Sequence, residues 1–251
     1  MNASPKAVTP ETDLYLAKTQ ELLYNAVLEA KPELSRAAAV LADRFSRDGI
    51  LYVFGSGHSH VFAEEAFYRA GGAARVCPIL DPEYMLHVSA RRSTELERQS
   101  GLAEGLLAKY DISPERDALL VVSNSGANRL PVEVAELAKE KNIPVIAITS
   151  VSYALQSLAK GGRLHEVADF VLDNKCPPGD ALIELRHDLP KVGPASTVVG
   201  LALLNALIIE TLARQVADGV TPDIYLSSGL PGARESNQAV SDRFSSRIPH
   251  L

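Results

Sequence analysis

The chain has no tryptophan, only two cysteines and two methionines, and an aromatic content of 6%. Cys77 and Cys176 stand far apart with no CxxC pair, so no disulfide framework or cysteine metal knuckle is encoded. A reducing, cytoplasmic setting is the expectation. Cys77 lies in the apolar run VCPIL and reads as a buried strand thiol rather than a nucleophile. Positive charge is also short: 25 Lys and Arg face 31 Asp and Glu, a formal charge of −6. With no basic run interleaved with aromatics, no nucleic-acid partner is expected. No uninterrupted apolar run reaches the roughly 18 residues that span a bilayer. The start, MNASPKAVTPETD, lacks an apolar signal core. No membrane partner is expected either, and no internal repeat or low-complexity stretch is evident.

What is present is apolar material in a definite order. A hydrophobic content of 46% over 251 residues suffices for one sizeable core. Residues 10–48 read as two helices, with Pro10 and Pro32 each suited to a helix start and Gly49 marking a stop. Leu34, Ala38, Leu41 and Phe45 recur at helical spacing. Five short apolar runs follow, at 50–54, 75–80, 118–122, 144–149 and 169–172. They alternate with helical segments near 59–70, 93–109, 129–141 and 152–160. Near-continuous apolar strands separated by helices predict an α/β fold, a doubly wound parallel five-stranded sheet covered on both faces. The run from Pro194 to Val216 is apolar almost all round and predicts a buried helix at a protomer interface. From Gly219 the chain reads as an irregular tail. The expected organisation is an N-terminal helical segment (1–49), the α/β domain (50–217) and a C-terminal tail (218–251).

Ligands of such sheets bind beyond the carboxyl ends of the strands, and two polar loops fall there. The first is GSGHSH, residues 55–60. Gly55 and Gly57 permit a tight turn and close backbone approach, Ser56 and Ser59 offer hydroxyls, and a helix follows. The dinucleotide fingerprint fails, because its third glycine is His60. The second loop is SNSGAN, residues 123–128. Ser123, Asn124, Ser125 and Asn128 around Gly126, at a helix start, make a neutral cradle for anionic oxygens. A polar turn with a helix cap is the plainer reading of SNSG. Two such loops after two strands of one sheet favour an anion site.

These two loops, with VIAITS after the second, resemble the SIS (sugar isomerase) superfamily over about residues 34–215. The nearest pattern is that of bacterial SIS-domain proteins with GSGHSHxxAEExFYRAGG, then SNSG, then a G-P-x-S-T segment. Here the last is VGPASTVVG, with Ser196 and Thr197 opening the apolar helix. The resemblance implies a flavodoxin-like three-layer domain that binds a phosphosugar and assembles as a homodimer or homotetramer sharing its sites. It implies Ser59, Ser123, Ser125 and Asn128 as anion ligands, with Ser56, Gly57, Asn124, Gly126, Ser196 and Thr197 lining the same place. In phosphoheptose isomerases and N-acetylmuramic acid 6-phosphate etherases, a catalytic glutamate lies on the helix after the first loop. Counted without gaps, that place holds Arg69 here, and Glu64 and Glu65 come about one turn earlier.

His60 and Glu64, four apart, share a helical face, and Glu65 pairs with Arg69 on another. Glu64 beside a histidine suits proton transfer, whereas Glu65–Arg69 also reads as a surface ion pair. His58 and His60 are candidates to shuttle protons, or else to cap the loop. No metal or other cofactor is expected: beyond these histidines and glutamates no further ligand is evident. The segment 81–101 is a candidate lid or dimer contact bringing His87, Glu95 or Arg98 to the site. The leading expectation is an aldose–ketose isomerase of an anionic sugar working through an enediol, with Glu64 preferred to Glu65 as base. A non-turnover phosphosugar sensor and a sugar-phosphate lyase or etherase are the alternatives. A nucleotide-dependent oxidoreductase with Asp81 as ribose ligand is disfavoured by the broken glycine motif.

Overall fold

The structure is a computed structural model and describes residues 10–159 and 161–251. The first nine residues of the expected N-terminal segment, and the last of the segment 152–160, lie outside the described residues.

Five parallel strands form the sheet: β1 (Leu51–Gly55), β2 (Val76–Ile79), β3 (Ala118–Val122), β4 (Val145–Thr149) and β5 (Phe170–Asp173). Their order is β2-β1-β3-β4-β5. The run-length reading of the sequence holds because every residue of β1 to β4 is buried, so alternation gives way to continuous apolarity. Alternate side chains feed two cores. Leu51, Val53, Leu120, Ile146 and Ile148 face one, with α1 (Pro10–Ser46), α2 (Val61–Ala66) and α8 (Ser196–Ala217). Tyr52, Phe54, Leu119, Val121 and Ala147 face the other, with α3 (Leu86–Leu96), α4 (Ala103–Leu107), α5 (Arg129–Glu140) and α7 (Leu164–Val167). Short α6 (Val151–Gln156) follows β4, and a small antiparallel pair, β6 (Ala181–Ile183) and β7 (Val192–Pro194), precedes α8. The three layers of a doubly wound domain are therefore present.

Three expectations need correction. The two N-terminal helices are one, a 37-residue α1 with Pro32 inside it. Ala26, Ala30, Leu34, Ala38, Leu41 and Phe45 form one buried stripe that runs past the proline. Burial of that stripe, much of it against α8, outweighs a proline cost of about 3 kcal/mol. The expected helix 93–109 is broken instead into α3 and α4. Gly101 takes a positive φ of 83°, and the Glu133 carboxylate accepts from the Gly101, Leu102 and Ala103 N–H groups that open α4. The tail is not irregular: it forms α9 (Ala233–Phe244), and Tyr225, Phe244 and Ile248 enter the core. Its anchors are few, and much of its attachment is ionic. For that reason apolar periodicity did not reveal it.

α8 is long and apolar enough to cross a membrane by length and composition, but Leu203, Leu204, Leu207 and Ile208 are buried in the core with α1 and the sheet.

The amino ends of the strands are tied by a buried carboxylate. Asp117, fully buried, accepts from the Ile50 N–H at 2.8 Å, the Ser113 N–H at 2.7 Å and Arg247 Nη2 at 2.5 Å. Nearby, the buried Arg75 pairs with Asp48 and Asp223 and lies over the Phe244 ring. Removing one partner of a buried pair strands the other, at about 3–5 kcal/mol. Asp117→Ala should therefore lose about that much unfolding free energy in urea titrations, with α9 the first segment to become protease-sensitive.

Candidate functional site

β1 and β3 are register-matched, Gly55 opposite Val122, so both polar loops leave the sheet at one level. In this strand order the crevice between β1 and β3 is the topological switch point, where ligands of open α/β sheets bind. The first loop turns at once into a 3-10 turn, Gly57–His60, and then α2. Gly55 is obligatory: a Cβ there would stand 2.3 Å from the Ser59 carbonyl oxygen. In the second loop Gly126 takes φ 57°, and a Cβ would stand 2.6 Å from Thr149 Oγ1.

Not all the candidate ligands converge. His58, Ser59, Asn124, Ser196 and Thr197 line one narrow cleft, with Phe62, Val122 and Asn174. It holds only about 20 Å³, room for a water or so. Asn128 instead lines a second cleft of about 110 Å³ with Arg98, Ala127, Arg129 and Leu158. Ser123 is buried, and its Oγ accepts from the Gly126 N–H at 3.2 Å, so its first task is to close its own loop. Ser125 and Gly126 lie on the same loop, Ser125 partly exposed. Ser196 donates to Asp180 Oδ2 at 2.6 Å, and the other oxygen of Asp180 accepts from the Ala195 and Ser196 N–H groups. The hydroxyl proton of Ser196 is thus committed to an internal cap, which leaves Thr197 as the α8 hydroxyl at the cleft.

The histidines divide. His60 is buried, its Nδ1 bonded to the Gly57 carbonyl, and its Nε2 lies 3.5 Å from Glu64 Oε1. It braces the loop, whereas the exposed His58 lines the cleft. Glu65 is ion-paired with Arg69. Asp81 is not available to a ribose: it caps the turn at Glu83 N and binds Lys109. Of the residues proposed from 81–101, His87 sets its ring 6.0 Å from that of His60 and Arg98 lines the second cleft. Glu95 is exposed, and the segment is a turn and helix rather than a loop. Among the described residues, no three His, Cys, Asp or Glu side chains gather as a metal site. Burial lifts both cysteine thiols to about 12, so neither is a nucleophile near neutral pH.

Two site residues escaped the sequence reading. Asn174, just beyond β5, donates from Nδ2 to Asn124 Oδ1 at 2.9 Å, while its own Oδ1 accepts from the Cys176 N–H. It locks the second loop to the strand beside it. Glu97, just past α3, reaches between the two loops. Ser56 Oγ donates to Glu97 Oε2 at 3.1 Å, the Asn128 amide lies beside the carboxylate and favours its charged form, and a Cβ on Gly57 would lie 3.4 Å from it. The Leu130 N–H, in the first turn of α5, donates to the Glu97 carbonyl. Burial raises the pKa of Glu97 above the ordinary glutamate value, opposed by Ser56, Arg98 and Asn128. In the sequence Glu97 is one of several charges in STELERQ, with nothing to single it out.

Comparison with known proteins is consistent with this geometry. Residues 14–150 match the family model described as SIS domain. A UPF0309 protein of Brucella canis is 44% identical over 220 residues, 87% of this chain and 90% of the relative. One of Geobacillus kaustophilus is 41% identical over 240 residues, 94% of this chain and 95% of the relative. The phosphoheptose isomerase of Neisseria gonorrhoeae superposes with a TM-score of 0.50 at 16% identity, covering 78% of this chain and 94% of that one. At that identity the likeness is one of fold.

The raised pKa of Glu97 has a stability consequence. The folded chain holds this proton more tightly than the unfolded chain, so stability contributed by the neutral form is lost as pH rises through the folded pKa. Glu97→Gln should raise Tm at pH 7, and the gain should shrink as pH falls toward the ordinary carboxylate range, in paired calorimetric scans.

Proposed function

Because this chain belongs to the SIS domain family, we propose that it is an isomerase of a phosphorylated or otherwise anionic sugar, interconverting aldose and ketose through an enediol. One observation carries the reading: loops from β1 and β3, the end of β5 and the start of α8 converge on a single cleft rich in hydrogen-bond donors. Ser59, Thr197 and the Asn124–Asn174 pair supply hydroxyl and amide donors for the anion, and Ser125 completes the second loop. The lining residues include no carboxylate. Held there, the sugar is fixed in register for proton transfer.

His58, exposed at the cleft, suits ring opening and transfer between the sugar oxygens. With Nδ1 of His60 giving its hydrogen to Gly57, the Nε2 lone pair of the neutral ring faces Glu64. Any proton taken up is shared between them, so this pair suits proton relay. Glu65 is the weaker base because Arg69 neutralises it. The cleft is far smaller than the several hundred Å³ of a small-molecule site, so the sugar lies over it and a second surface must cover it. Val198, Ile209 and Val216 on α8, with Leu14, Leu16, Tyr24 and Leu28 on α1, remain exposed in one copy. A homodimer through these helices supplies that surface.

Loss of one hydrogen bond to a charged oxygen costs about 1.5–3 kcal/mol. Thr197→Ala and Ser125→Ala should each weaken the best sugar phosphate from a thermal-shift screen by about that much. Wild-type protein should exchange solvent deuterium into C1 or C2 of that sugar, and Glu64→Gln should slow the exchange. Ligand binding without any exchange would favour a sensor and remove the isomerase.

Light scattering at micromolar concentration should give a mass of at least twice the monomer. A monodisperse monomer would remove the shared site.

A further inference from the structure

Between the two loops, and lining neither cleft, Glu97 sets the hydrogen-bonding sense of the corner where Ser56 and Gly57 turn. Ser56 has a single hydroxyl hydrogen, and it points to Glu97 Oε2 at 3.1 Å. The Asn128 amide lies beside that carboxylate and favours its charged form. An ionised carboxylate is acceptor only, and a hydroxyl whose hydrogen is committed offers lone pairs only. The corner between the loops therefore presents acceptors and negative charge. A phosphate or carboxylate oxygen, itself an acceptor with charge, finds no partner at Ser56 or Glu97. A hydroxyl or amino group does.

The arrangement is not that of a simple strut. Asn128 is the N-cap of α5 but makes no side-chain cap bond to it. A glutamine could accept the Ser56 bond without burying charge, whereas this fold holds a partly buried carboxylate whose pKa is raised by desolvation. On the opposite side, the cleft of His58, Ser59, Asn124, Asn174 and Thr197 offers donors and no carboxylate.

We propose that Glu97 is a specificity-determining residue: with Ser56 it recognises hydroxyl or amino donors on the substrate's carbon chain while the anionic group sits in the His58–Ser59–Thr197 cleft. This rests on the reading of the site as one for an anionic sugar and adds a direction to it. The substrate class is a polyhydroxylated chain with its charge at one end, not a compact anion. It also moves Ser56 from the lining of the anion's place to the ligands of the sugar hydroxyls.

The test is titration calorimetry of wild type, Glu97→Gln and Ser56→Ala with two probes, inorganic phosphate and sorbitol 6-phosphate. Wild type should bind the polyol phosphate at least about tenfold more tightly than inorganic phosphate, since charge-assisted bonds to its hydroxyls are added. In Glu97→Gln that preference should fall by about tenfold, through weaker sorbitol 6-phosphate binding with inorganic phosphate unchanged or tighter. Ser56→Ala should show the same split to a smaller degree, as an independent check on the same corner. Equal loss for both probes would make Glu97 a strut that merely shapes the anion cradle. Unchanged preference would remove it from recognition altogether. Either result overturns this proposal and leaves the anionic-sugar reading standing. If wild type binds inorganic phosphate without preferring the polyol, the proposal again falls alone. If wild type binds neither probe, both fall.

Discussion

The site depends on a constraint at the opposite end of the sheet. Asp117 has no solvent to satisfy it, so its oxygens must be filled by the chain, and they take the Ile50 and Ser113 N–H groups and Arg247. This bond network joins the residue before β1 to the residue before β3, and the pairing Leu51 with Ala118 follows directly. In a parallel ladder a shift of one residue would exchange the faces of every following side chain. It would also put the two loops at different heights. The C-terminal segment supplies the arginine, so chain remote from the site holds the register that aligns it.

At the loop end of the sheet the organising group is again a carboxylate, here only partly buried, and the two behave differently. Asp117 is saturated by two backbone amides and a guanidinium, so it is purely structural. Glu97 is held by Ser56 and Asn128, and its nearest cation is Arg98 on its own segment. Burial leaves it with a raised pKa. A carboxylate whose pKa is pushed up by desolvation beside the strand ends is a mark of functional sites. The donors of the His58 cleft and the acceptors around Glu97 give the crevice a polarity, and under the proposed reading a substrate charged at one end would match it.

Much of this was legible before any coordinates. Long apolar runs broken by helical segments located all five strands to within a residue or two, because a sheet covered on both faces requires side chains apolar on both. GSGHSH and SNSGAN were legible because a backbone that turns sharply and approaches a ligand needs Gly55 and Gly126, and few other residues satisfy those positions. Pro32 misled: its local preference for a helix start lost to the burial of a continuous stripe on α1. α9 was missed because Arg243 and Arg247 carry much of the attachment that leucines usually provide.

The sequence by itself determined the local chemistry: which segments are strands, where the chain turns, and which loops carry hydroxyls and amides. These follow from short-range rules of periodicity and backbone freedom. Only the tertiary structure decided which of those groups act together. It separated Asn128 from Ser59, committed Ser196 to Asp180, and brought Glu97 and Asn174 against loops distant in the chain. The reason is physical: desolvation and hydrogen-bond satisfaction are settled by three-dimensional neighbours, and 41 residues separate Ser56 from the carboxylate that takes its hydrogen.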